Sequence, residues 1–296
     1  MLAEDKIGVG VVTYNRNNLL QKLINSLPIQ YLDHIVVVND GESIGGVDLK
    51  GIKLINNKEN IGVGKSKNVA LRYLIDKDVD HYFLIEDDIY IKDDSVFHKY
   101  IQASKETGIQ HFNYGLHGLL NIKKDGSPKN RLSINYSEVE IYFYKNCVGA
   151  FSYFSKKCID EIGLFDETYF NALEHIDHTY QIINKKMHPN FWFFADIAES
   201  EKYLGDETWS RSQSVIARND IPPNLKEAQS YFEEKFKIKV SAIPDVWCSE
   251  VINQLEYIRK SYGLEKKTIK SLNKKLLKVV YFKEFFLSLK KVFYIN

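Results

Sequence analysis

Glu86-Asp87-Asp88 closes the apolar run His81-Tyr-Phe-Leu-Ile85. Carboxylates at the end of a buried run are costly unless something compensates their charge. Three in succession also repel one another, and a divalent cation removes that repulsion. Hard ions such as Mg2+ and Mn2+ take oxygen ligands and bridge carboxylate to phosphate. The triplet therefore points to a metal–phosphate site where a strand meets a loop; the alternative is a solvated acidic loop. A second group opens the helical pattern from Leu173 to Lys186, whose first turns carry Glu174, His175, Asp177 and His178. Glu174 lies one turn from both Asp177 and His178, so one face can present two acids and an imidazole. The helix dipole at that end stabilises a carboxylate and lowers its pKa. N-terminal capping by acids beside a solvated histidine is the plainer explanation.

These groups need elements to hold them. Ile7 to Val12 reads as a buried strand, followed by Thr13-Tyr-Asn-Arg16 and by Asn17 and Asn18 as caps of a helix over Leu19 to Ile24. His34 to Val38 is a second buried strand with its turn at Asn39-Asp40-Gly41, and Ile52 to Ile55 a shorter third. Asn57 to Asn68 reads as a polar loop running into a helix from Val69 to Ile75, and Tyr82 to Ile85 is the fourth strand. Continuously apolar strands alternating with helices predict an α/β fold with a mostly parallel, Rossmann-like sheet and helices on both faces. Such sheets bind ligands beyond the carboxyl ends of their strands. Thr13–Arg16, Asn39–Gly41 and Glu86–Asp88 all stand at such ends, so the fold brings them to one rim. Farther on, strands are expected over Val139–Tyr144, Gly149–Phe154 and Phe191–Phe194, and a short helix from Ser155 to Ile162 stopped by Gly163. Pro222-Pro223 marks a break before helical patterns at Leu225–Phe236 and Val246–Lys260.

The 296 residues suffice for one sizeable core and an appendage. A net charge of +1 gives no global field for nucleic acid. Cys147, Cys158 and Cys248 form no CxxC pair, which argues against a disulfide framework or a zinc site and makes a reducing cytosol the default. No signal peptide and no transmembrane span is expected.

The order of these motifs resembles the inverting glycosyltransferases of family 2, which have the GT-A fold. The matching residues are Val11-Val-Thr-Tyr-Asn-Arg16, Val37-Val-Asn-Asp-Gly41, Asn60-Ile-Gly-Val-Gly-Lys-Ser-Lys-Asn68 and Glu86-Asp-Asp88. Gly149-Ala150 with Leu164-Phe-Asp-Glu167, and then Glu174-His-Ile-Asp177, complete the series. Each motif is weak alone; their order over about residues 6 to 200 is specific. The resemblance divides the chain into a catalytic domain over 1–220, a helical extension over 221–263 and a basic tail over 264–296. Within the first, 1–95 would serve the nucleotide sugar and 96–220 the acceptor.

The resemblance implies a UDP-sugar donor, a divalent metal (Mn2+ or Mg2+) and a saccharide or lipid-linked acceptor of bacterial surface-polysaccharide synthesis. Thr13, Tyr14, Asn15 and Asp40 would hold the base and ribose, with turn and cap chemistry as the alternative. Arg16 would pair with the diphosphate, its planar fork matching phosphate oxygens. Lys65 and Lys67 add positive charge, and Asn68 would face the nucleotide. The metal motif departs from the common Asp-x-Asp: Asp88 is the expected ligand, with Glu86 meeting ribose or metal and Asp87 beside them. Inversion needs a base for the acceptor hydroxyl. Many relatives use the Asp of a Glu-Asp pair, but His175 stands at that position. Asp177, Glu174 and His175 thus remain candidates, Asp177 first. His188 would be a late metal ligand or an ordinary loop histidine.

Tyr142, Tyr144, Tyr153, Tyr169, Phe170 and Trp209 could stack on sugar or fill the core. Glu265 to Asn296 interleaves nine lysines with apolar residues. Such a helix can lie in an anionic membrane interface, or pack on its own catalytic domain or on a second subunit of a homo-oligomer. Membrane binding would make a cytoplasmic protein peripheral to the inner face. Two other classes stay in view. His175 is compatible with a catalytically inactive GT-A domain acting as a binding scaffold. A nucleotidyltransferase would usually carry a Gly-rich loop straight after the first strand, where Thr13–Arg16 stands instead.

Overall fold

The computed structural model describes residues 5–136, 138–207 and 223–264. The chain opens with β1 (Ile7–Thr13), α1 (Asn17–Ser26), β2 (His34–Asn39), β3 (Lys53–Asn56), α2 (Val63–Asp76) and β4 (His81–Glu86). It continues through β5 (Ile89–Ile91), α3 (Val96–Thr107), β6 (His111–Asn113), β7 (Leu132–Tyr136), β8 (Val139–Tyr144) and β9 (Phe151–Ser155). Then come α4 (Lys156–Ile162), α5 (Glu174–Asn184), β10 (Phe194–Ile197), β11 (Leu204–Asp206), α6 (Pro223–Phe236) and α7 (Cys248–Ser261).

The main sheet has the order β3-β2-β1-β4-β9-β6. Its first four strands are parallel, and β9 runs antiparallel to both β4 and β6. The two-residue period of a strand divides each central strand between two cores. Val9 and Val11, Ile35 and Val37, and Phe83 and Ile85 face α1, α3 and α7. Val36, Val38, Tyr82 and Leu84 face α2, α4 and α5 with Ala70, Leu71, Leu74, Ile159 and Ile182. Helices therefore cover both faces, as the continuous apolar strands require. Gly10 lets α2 approach: a Cβ there would lie 2.7 Å from that of Ala70. A second sheet, β10-β8-β7, lies against the first core, and β11 pairs with β5 as a two-stranded ribbon. In the helices after Pro223, α7 adds Val251, Ile252 and Leu255 to the first core. Ala228 and Phe232 of α6 join Tyr169, Phe191 and Phe194 in a third cluster.

Three expectations are corrected. Helix α2 starts at Val63, so the second half of the supposed polar loop is helical. Gly62, at φ +87°, turns the chain into it. The aromatic run Phe191–Phe193 precedes β10 rather than forming it. Phe191 and Trp192 pack in the cluster with α5 and α6, Phe191 meeting Tyr180 edge to face, while Phe193 enters the first core. The tail from Glu265 and the ring of Trp209 lie outside the described residues.

Candidate active site

Register alone assembles the rim. Thr13 pairs with Asn39 and Val12 with Glu86, so β1, β2 and β4 end side by side. Thr13 Oγ1 donates to Asp87 Oδ2 at 2.6 Å. Arg16 Nη1 donates to Asp88 Oδ2 at 2.8 Å, and Nη2 forms an ion pair with Asp87 Oδ1. One guanidinium thus neutralises two adjacent acids that are 1% and 6% exposed. It does not do so fully. Burial pushes the Asp87 carboxyl up to about 7 despite Arg16. Burial also raises Asp88, against the pull of His117 and Arg16. Asp88 Oδ1 is buried with no hydrogen-bond partner.

Lys67 is the centre of a second charge group. Its ammonium, 1% exposed, donates to Glu86 Oε1 at 2.8 Å, Gly149 O at 3.2 Å and Glu174 Oε1 at 3.2 Å. Burial disfavours its charge, but Glu86 and Glu174 outweigh that and hold the ammonium above its ordinary pKa. Burial likewise opposes ionisation of both acids, yet Lys67 keeps Glu86 below its usual value, and Lys67 with His175 keeps Glu174 far below. Lys67 is therefore an internal counter-ion joining the metal motif to the start of α5, and not the surface phosphate charge expected of it.

Helix α5 carries the three base candidates, and they differ sharply. Glu174 is held by Lys67 and by the His175 ring, whose Nδ1 is 3.2 Å away. Asp177 is fully buried. Its oxygens accept from Tyr169 at 3.0 Å, Gln181 at 2.6 Å, and Lys235 of α6 at 2.8 and 3.0 Å. Asp177, the first candidate from sequence, thus ties α6 to α5 through Lys235. His178 is buried too, its Nε2 on Gly163 O at 3.0 Å, and stacks on Phe165.

Several expected nucleotide contacts hold the rim together instead. Asp40 is 6% exposed and accepts from Ile61 N and Gly62 N at 2.9 Å and from Asn57 at 2.7 Å, anchoring the turn into α2. Asn15, at φ 53°, accepts from Glu42 N at 2.7 Å and so joins the β1 end to the β2 turn. Asn68, expected to face the nucleotide, is buried within α2, where it brackets Phe165 through the latter's N (2.8 Å) and O (2.9 Å) and bonds Glu167 at 3.0 Å. Tyr14 leaves its ring exposed on the rim. His188 is buried, with both ring nitrogens bonded, to Pro189 O and Ala195 N. Among the stacking candidates, Tyr144, Tyr153 and Tyr169 are core residues, while Phe170 is exposed.

Sequence reading missed the pair His117–Asp206. Asp206 lies opposite Ile89 in the β11–β5 ribbon, and the next residue's N–H, Glu207 N, donates to Asp88 O at 2.9 Å. His117 Nδ1 is 3.1 Å from Asp206 Oδ1. No local pattern could signal this contact, since the partners are 89 positions apart.

The acidic rim can be tested against a divalent ion. Among the described residues, no three His, Cys, Asp or Glu side chains converge to hold one. The donors on offer are the unpartnered Asp88 Oδ1 and the partly exposed Glu86 carboxylate. Mg2+-like ions keep waters and bind through one or two carboxylates plus substrate phosphates. The set thus fits an ion shared with a diphosphate, and does not fit a closed protein cage.

No family model matches the sequence. No curated protein matches it either. Among solved structures, GalNAc-T7 with UDP, GalNAc and Mn2+ is similar at a TM-score of 0.51 and 12% identity, covering 92% of this chain and 58% of that one. S. aureus TarS 1–349 is similar at 0.50 and 14% identity, covering 87% of this chain and 72% of that one. Mannosyltransferase PcManGT from Pyrobaculum calidifontis, in complex with GDP-Man and Mn2+, aligns over 60% of this chain at 13% identity and a TM-score of 0.44. The chain spans 51% of that structure. With its sheet order and its helices on both faces, the chain has the GT-A fold.

Proposed function

We propose that the chain is a metal-dependent inverting glycosyltransferase that moves a sugar from a UDP-sugar to a saccharide acceptor. The observation that carries this reading is the buried, unpartnered Asp88 Oδ1 beside Glu86 at the carboxyl rim of a GT-A sheet. The similar GalNAc-T7 structure, determined with UDP, GalNAc and Mn2+, supports it. Asp88 and Glu86 would hold the Mn2+ or Mg2+ ion, which when bound neutralises the diphosphate leaving group as a Lewis acid.

The chain's own residues do the rest. Tyr14 offers its exposed ring to the base, at a rim shaped by Thr13, Asn15 and Asp40. Arg16, at the carboxyl rim, would be the residue to meet the diphosphate. A fork that now serves two carboxylates serves phosphate oxygens equally well. The start of α5 supplies the proton acceptor. The acceptor substrate is proposed to be a surface polysaccharide of capsule, O-antigen or teichoic-acid type, soluble or lipid-linked, on the strength of the sequence resemblance. No helix of the described residues is long and apolar enough to cross a membrane. Association with an anionic inner leaflet is proposed for the basic tail alone.

Isothermal titration of UDP-sugars in the presence of Mn2+ tests the reading. Binding that is lost on chelation is expected, and the absence of binding to any nucleotide sugar with metal present would overturn it. The second reading, an inactive binding domain, is favoured by His175 at the position of the usual base. It predicts donor binding with neither transfer nor donor hydrolysis.

A further inference from the structure

Of the three candidates at the start of α5, Asp177 has no vacant valence, and Glu174 takes two partners on its Oε1. Asp177 is enclosed by four hydrogen bonds. Glu174 is 3% exposed and shared between Lys67 and His175. Of the three, the His175 side chain is the most exposed, at 24%. Its ring lies against the backbone of Gly149, where an added Cβ would sit 2.9 Å from Cγ. Gly149 O is itself bonded to Lys67. The ring is thus seated by the same backbone that seats the ammonium.

The tautomer follows from chemistry. An ionised carboxylate only accepts hydrogen bonds. Glu174 is kept ionised by the Lys67 ammonium. The His175 nitrogen facing it, Nδ1, must therefore carry the proton, which leaves the lone pair on Nε2. Among the described residues Nε2 has no hydrogen-bond partner.

We propose that His175 Nε2 is the catalytic base and that Glu174, itself held by Lys67, is its positioning residue. This rests on the glycosyl-transfer reading above. In the step, the acceptor oxygen forms its bond to the anomeric carbon as the bond from that carbon to the diphosphate oxygen breaks. The electron pair leaves with the diphosphate. The hydroxyl proton passes to Nε2, and the resulting imidazolium, paired with Glu174, returns its proton to solvent. The replacement of the family's aspartate by His175 is therefore a change of base and not a loss of activity. The titratable groups that act on the ring are Glu174 on α5, which itself binds Lys67 on α2, and His111 on β6.

Steady-state transfer by the full chain at saturating UDP-sugar and Mn2+ tests this, with UDP affinity measured in parallel as the control for folding. His175→Ala is expected to lower kcat by about 10²–10⁴-fold with UDP affinity unchanged. Added imidazole should partly restore turnover in His175→Gly. His175→Asp should keep transfer while moving the acid limb of the kcat profile to lower pH. Glu174→Gln, by removing the anion beside the ring, should move that limb down by about one unit. Transfer by His175→Ala within about twofold of wild type, or an acid limb unmoved in His175→Asp, overturns the proposal. A wild-type chain that binds no UDP-sugar fails earlier, at the reading on which the proposal rests.

Discussion

Replacing Lys67 by methionine removes a buried cation and leaves two carboxylates facing each other across its place. Lys67 donates to Glu86 at 2.8 Å and to Glu174 at 3.2 Å, and only 1% of its side chain is exposed. Removing one partner of a buried pair costs about 3–5 kcal/mol, because the remaining charge stays desolvated. That is a large share of the ~5–15 kcal/mol that holds an ordinary protein folded. It corresponds to a fall in melting temperature of about 6–10 °C at roughly 2 °C per kcal/mol for a chain of this size. The pH dependence has a definite sign. Glu86 and Glu174 have depressed pKa values in the folded chain. Their contribution is complete above the unfolded value of about 4.3 and fades as pH falls below it. Lys67 is raised above 10.5, so its contribution persists until pH climbs beyond that value. The difference between wild type and Lys67→Met should therefore be flat from about pH 5 to 9 and shrink below about pH 4. Urea unfolding at pH 7 and about pH 3 measures it. The double variant Lys67→Met/Glu174→Gln, with one of the two carboxylates neutralised, should regain more than half the loss. A difference under about 1 kcal/mol at pH 7, or one equal at both pH values, would refute the counter-ion argument.

Lys235→Met should lower stability by about 2 kcal/mol, discounted for its partial exposure, with UDP affinity retained; urea unfolding and calorimetry separate the two effects. Asp88→Ala should weaken Mn2+-dependent UDP binding more than the ~10–100-fold typical of an outer-shell partner, as read by titration with and without chelator. Asn68→Ala strands the backbone N–H and C=O of Phe165 and should lower the urea-unfolding free energy by about 2–3 kcal/mol.

The rim was legible because its geometry follows from strand periodicity. Ile7–Val12, His34–Val38 and Tyr82–Ile85 are continuous apolar runs, and the polar residues after them end up adjacent for that reason. Helix α4 was equally clear, with Ser155 capping Cys158 N at one end and Gly163 at φ +80° at the other. What escaped reading lacks a period or depends on distant partners. The three-residue strands β5, β6 and β11 are too short to carry an alternation. The opening of α2, with Gly62, Gly64, Lys65 and Lys67, looks like a solvated loop. Its lysine is buried only because Glu86 and Glu174, 19 and 107 positions away, neutralise it. For the same reason Asp177 looked available: its partner Lys235 lies 58 residues downstream, beyond the break at Pro222-Pro223.

Helix α5 is clamped from both directions along the chain. Glu174 is met by a cation made 107 residues earlier, and Asp177 by one made 58 residues later. During synthesis, therefore, strands β1, β2 and β4 can pair long before the start of α5 settles. Until α6 has left the ribosome, Asp177 has no cation to accompany it into the interior. The start of α5 settles last, because it depends on Lys235 of a helix made later. A chain stopped short of Lys235 would carry the strand-end motifs intact and still lack a finished acceptor side.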